Sequence, residues 1–209
     1  MFVKEDDYIK KLKSTTEYTG VHPKRFALWL GMASMTMFFA ALTSALILKK
    51  GDYKVWENFK LPVSFMYSTV AIVLVSVIMH FSYIAYKKAK FAAFRWLLFL
   101  GFLLGIGFLL LQYFGWAALN SIGKPITGNI SGQFIYLISS LHGFHIVVGL
   151  IVTFIFLIFA FRARKDEAFE FKNIANPSRL LHMELLVTFW HFIDIVWIYL
   201  YLFFYYNYI

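Results

Sequence analysis

The 209 residues contain no cysteine, which excludes disulfides, thiolate metal sites and cysteine nucleophiles while leaving the compartment open. Charge is scarce: Asp, Glu, Lys and Arg make up 15% of the chain, and acids number only 11. Catalytic motifs are missing as well. There is no GxSxG, no P-loop and no HExxH, so hydrolase and nucleotide-binding readings have no support. No internal repeat is visible, which removes the inverted-repeat signature of many transporters. No cleavable signal peptide is expected, because the first apolar run starts only near Phe26, after a mixed-charge tail.

What is present is hydrophobic surface. Apolar residues reach 61%, aromatics 21%, and the mean hydropathy is +0.69, far outside the balance of soluble domains. The expected fold is an all-α polytopic membrane protein with a polar tail over residues 1–25 and a single transmembrane domain over 26–209. Its five spans run approximately over 26–48, 62–86, 94–116, 133–161 and 185–206. Each is near or above the roughly 20 residues that cross about 30 Å of hydrocarbon. Tyr199, Tyr201, Tyr205, Tyr206 and Tyr208 would meet one membrane interface as an aromatic belt.

The net charge of +9 does not point to nucleic acid, because the basic residues lie in short segments between apolar runs. They act as topology signals. Fifteen Lys and Arg fall in the tail, the 87–95 loop and the 162–185 segment, against five on the opposite side. By the positive-inside rule the N-terminus is expected in the cytoplasm and the C-terminus outside.

Polar groups inside the spans are the candidate functional residues. Asp194 is the only carboxylate well within an apolar run, and an ionised carboxylate in hydrocarbon costs at least several kcal/mol. It must therefore face protein, water or a partner group. Helical spacing places Glu184, Thr188, His191 and Asp194 or Ile195 on one stripe, flanked by Trp190 and Trp197, with His191 the nearest candidate partner for the acid. His80, His142 and His145 are the other intramembrane histidines. Packing glue, proton transfer and metal or haem ligation are all open to such residues. Against a di-iron bundle stands the lack of Glu-x-x-His. Small or polar residues share faces on two spans: Gly101, Gly105 and Gln112 on the third, and Ser139, His142 and Gly149 on the fourth. That is how helices associate where water cannot drive them together.

These motifs resemble a known family. Trp190–Tyr201, WHFIDIVWIYLY, with Glu184 seven residues before His191, closely resembles the last helix of cytochrome c oxidase subunit III. Leu141–His145 with Gly149, Gln112 near the end of the third span, and Ser34 with Phe38 and Phe39 resemble further family motifs. The likeness extends over nearly the whole chain after residue 25, and the count of spans fits the five-helix bacterial form.

The resemblance implies a non-catalytic subunit of a proton-pumping haem-copper oxidase in the aerobic respiratory chain, seated in the bacterial cytoplasmic membrane. It implies no cofactor in this chain, with haem and copper in partner subunits. Subunit I is the main implied contact, subunit II another, with bound phospholipid expected. Arg162 is the lipid-binding candidate, and membership of a larger supercomplex remains open. Glu184, His191, Asp194, His142, His145, Gln112, Ser34 and His80 are expected to serve as structural, interhelical polar groups. Two positions depart from the family pattern. Met35 and Gly115 stand where carboxylates are common, so a proton-antenna role is less supported than a structural one. The alternatives are a subunit III-like protein of a nitric oxide reductase system and a small multi-His b-type cytochrome.

Overall fold

The computed structural model describes residues 22–52, 56, 58–128, 130–163 and 177–208. Among these there are five α-helices and no strand: α1 Pro23–Asp52, α2 Val63–Lys87, α3 Phe91–Ser121, α4 Ile130–Ala163 and α5 Pro177–Tyr208. All five are long and apolar enough to cross a membrane, and the expected five-helix membrane bundle is the fold. Of the polar tail expected over 1–25, residues 1–21 lie outside the described residues. Pro23, Lys24 and Arg25 already belong to α1.

The helices outrun their apolar runs. The 30 residues of α1 extend for about 45 Å, while the hydrocarbon layer is only about 30 Å thick. Hydropathy marks where side chains leave water, whereas backbone hydrogen bonding continues through the headgroup layer. The largest extension is the first turns of α5, where Ser178, Arg179, His182 and Glu184 precede the apolar run. Helix ends suit their charges: Lys49 and Lys50, Lys87 and Arg162 occupy the last turns of α1, α2 and α4, where free carbonyls favour cations. Pro23 and Pro177 open helices and Pro62 precedes one, positions where a missing N–H costs nothing.

Helix α2 packs most extensively on α3 and next on α5; α4 packs on α3 and α5, while α1 packs on α5 and α4 and is the least enclosed helix. Arg25 of α1 meets Glu184 near the start of α5, and Lys50 near the end of α1 donates to the Asn207 carbonyl near the end of α5 at 2.6 Å. The first and last helices therefore run parallel, as an odd number of crossings requires.

Glycines set the close approaches. A Cβ on Gly105 would lie 2.8 Å from Leu150 and 3.3 Å from Trp190, and one on Gly149 would lie 3.2 Å from Phe189 and 3.3 Å from Trp190. The fully buried Trp190 thus rests on glycines of both α3 and α4. The small and polar faces expected on the third and fourth spans, Gly101, Gly105 and Gln112 and then Ser139, His142 and Gly149, are all buried.

Candidate functional site

Helix α5 is the axis of the polar interior. Its expected stripe divides between two neighbours, α1 and α2, and its own backbone. Glu184 accepts from Arg25 Nη2 at 2.8 Å, a partly exposed bridge to α1. Thr188 donates to the Glu184 carbonyl of its own helix at 2.9 Å, the usual way a hydroxyl satisfies itself in an apolar helix. His191 Nδ1 shares a short hydrogen bond with the Ser76 hydroxyl on α2. Of the two residues that could complete the stripe, Asp194 is buried and Ile195 is 66% exposed.

The pairing expected between Asp194 and His191 is not made. Both Asp194 carboxyl oxygens are buried without a hydrogen-bond partner among the described residues, although Ser76 lies beside them. Helical spacing brings the two residues to one face, but α2 decides the contact, because it presents Ser76 to the imidazole. Ser76, His191 and Asp194 have the residue types of a hydrolytic triad without its connectivity. A triad acid must hold the second ring nitrogen, and here no such bond exists.

The other histidines divide as well. His80 is exposed on α2, its ring centroid 5.7 Å from that of His191. His145 Nδ1 donates to the Leu141 carbonyl of its own helix at 2.7 Å and meets Phe39 of α1 edge-on. His142 is fully buried, and neither ring nitrogen has a hydrogen-bond partner among the described residues. It is held by rings, with Trp197, Phe108 and Phe39 centroids at 5.0, 5.9 and 6.1 Å. Among these, His191 is hydrogen-bonded across helices, His145 bonds within its own helix and His142 is held by ring packing. Among the described residues, no three His, Asp or Glu side chains converge where they could hold an ion.

Three indoles tie helices together. Trp190 donates to Thr153 Oγ1 of α4 at 3.0 Å, Trp197 to Thr69 Oγ1 of α2 at 3.0 Å, and Trp116 of α3 to Ser139 Oγ of α4 at 2.9 Å. Gln112 Nε2 of α3 donates to Ser68 Oγ of α2 at 2.9 Å. Ser68, Thr69, Ser76 and Thr153 were not among the sequence candidates. Their signal was hydroxyls interrupting apolar runs, with Thr69 and Ser76 seven apart on one face. Ser34 does not join helices: it is exposed and bonds back to the Leu30 carbonyl at 3.0 Å. Helix α1 turns it outward because Phe39, Thr43 and Leu46 take the inward face. Arg162 is exposed in the last turn of α4.

Residues 25–208, which include every side chain of this interior, match the family model described as cytochrome c oxidase subunit III. The chain belongs to the cytochrome c oxidase subunit III family. Among its relatives, a probable cytochrome c oxidase subunit 3 of Mycobacterium tuberculosis is 30% identical over 64% of this chain and 63% of the relative. The chain thus spans just under two thirds of the length of that mycobacterial protein. The cytochrome c oxidase subunit 3 of Bacillus sp. (strain PS3) is 27% identical over 85% of this chain and 83% of its own. A cytochrome bo(3) ubiquinol oxidase subunit 3 of Buchnera aphidicola is 32% identical over 57% and 56%.

Membership of the subunit III family gives the two departures a structural setting. A Cβ on Gly115 would lie 2.9 Å from the Phe65 ring, which itself stacks on Trp197 with 16° between planes. No carboxylate fits there without moving that stack. Met35 is half-buried and packs against the apolar core.

Proposed function

We propose that this chain is the accessory subunit III of a haem-copper terminal oxidase, holding no redox centre and stabilising the catalytic subunit I beside which it packs. The observation that carries the reading is the family match over 25–208, which takes in the whole bundle and the α5 motif whose side chains reach α1, α2 and α4. His191, Trp190 and Trp197 of that motif hold helices together, with Ser76 on one nitrogen of His191 and Thr153 and Thr69 on the two indoles. This is what a supporting subunit needs, since interhelical hydrogen bonds and close packing replace the hydrophobic effect within a bilayer.

On this reading the chain sits in the bacterial cytoplasmic membrane with its N-terminus inside, subunits I and II are its partners, and the complex reduces oxygen and pumps protons. Haem and copper belong to the partners. The broad lipid-facing surface and Arg162 at the end of α4 suit a phospholipid with its phosphate at the arginine. The relatives include one named for cytochrome c and one for ubiquinol, so the electron donor is a property of the complex.

Affinity purification through a tag on this chain, with mass-spectrometric identification of the co-purifying polypeptides, tests the proposal. Subunits I and II of a terminal oxidase are expected. Recovery of the chain alone, or with the subunits of a nitric oxide reductase, would overturn it.

A further inference from the structure

We infer that Lys24 and His182 form a pH-sensitive latch holding the first turn of α1 against α5, closed while His182 is neutral and released when it is protonated. Lys24 Nζ lies 2.7 Å from His182 Nε2, between residues 158 apart in the chain. Lysine has donors only, so the contact is a hydrogen bond only when Nε2 offers a lone pair. A proton on that nitrogen replaces the acceptor with a second donor and sets two positive charges at contact distance.

The surroundings sharpen the effect. The groups acting electrostatically on His182 are Lys24 of α1, His22 just before that helix and Arg179 from its own helix, all cations or potential cations. The nearest acid on α5, Glu184, is already bonded to Arg25. From α4 the neighbouring cleft wall is apolar, with Val148, Val152 and Phe156. Nothing among these described neighbours offsets a charge on His182, and burial together with these cations holds its pKa below the usual histidine value.

The mechanical consequence follows from how loosely α1 is held. It is the least enclosed helix, packing on α4 and α5, and its starting end is fixed by the Lys24 and Arg25 contacts. Beneath that end lies an apolar cleft of about 310 Å³ between α1, α4 and α5, with His182 on its rim and Leu28, Phe156 and Leu186 along its walls. Releasing the latch leaves the Arg25–Glu184 bridge as the remaining polar tie at that end, so the first turn of α1 shifts outward about it and widens the cleft.

Paired nitroxides at Ala27→Cys and Arg162→Cys in the otherwise cysteine-free full chain, reconstituted with its complex, report the gap between α1 and α4 by pulsed dipolar spectroscopy. Between pH 8 and pH 5 the distance distribution should lengthen and broaden. His182→Gln, whose amide oxygen still accepts from Lys24, should stay closed at both values. Lys24→Gln, which lets a protonated His182 find an acceptor, should likewise remove the response, while His22→Gln should retain it. An unchanged distribution in the unsubstituted background, or an equal shift in His182→Gln, would overturn the latch.

Discussion

Trp190 donates its indole N–H to Thr153 Oγ1 across the α5–α4 contact while its ring lies against Gly105 and Gly149, so one side chain joins three helices. Thr153 in turn donates to the Gly149 carbonyl at 2.8 Å, which leaves its oxygen free to accept from the indole. A double-mutant cycle of Trp190→Phe and Thr153→Val should therefore give a coupling of about 0.5–1.5 kcal/mol, the range of interhelical hydrogen bonds in membranes. Unfolding of the solubilised complex measures it, and additive effects would show that the bond contributes nothing.

The glycines under that ring give a sharper contrast. Gly105→Leu and Gly149→Leu should each cost about 1–3 kcal/mol by forcing α3 or α4 away from Trp190. Gly107→Leu, where a Cβ meets nothing within 4 Å, should be tolerated. Thermal midpoints of the three variants decide it; since Gly→Leu raises helix propensity at all three sites, equal losses would mean that the fit against Trp190 is not what is being read.

Asp194 makes no hydrogen bond among the described residues, so Asp194→Asn removes a burial cost without removing a bond. Stability should be unchanged or higher. Asp194→Lys should prevent assembly, because a cation at that depth has no carboxylate to pair with among the described residues. A loss of more than about 2 kcal/mol in Asp194→Asn would show that the acid has a bonded partner, either the neighbouring Ser76 or a group from another subunit, since such a loss is what breaking a buried bonded pair costs.

Arg25 and Glu184 form a bridge with side chains 42% and 36% exposed, and solvent screens it. Glu184→Gln should cost about 0–1 kcal/mol, less at high ionic strength. A stability series at low and high salt checks this, and a salt-independent loss would mean that Glu184 acts by packing.

Much of the bundle was legible in the residues. Five apolar runs between basic loops gave five helices, and the small faces of Gly105, Gln112 and Gly149 gave the buried sides of α3 and α4. Helix ends were less legible, because Pro177–Glu184 is polar and yet helical: amphipathic headgroup layers reward backbone pairing that hydropathy does not see. Partner identity was the least legible. Spacing along α5 put His191 beside Asp194, but the register of α2 brought Ser76 to the imidazole. Likewise a hydroxyl such as Thr69 or Thr153 reads as neutral in an apolar run until an indole is placed across from it. Ser34 shows the converse, a residue in a family-like motif whose helix turns it outward.

The central claim is that this chain supports a redox enzyme without carrying its redox groups. Haem content of the chain after its detergent-driven release from the purified complex tests this most directly. The account predicts a reduced-minus-oxidised spectrum without a haem signal in the released chain and the full haem complement in the remainder. A haem b spectrum travelling with the released chain would contradict it.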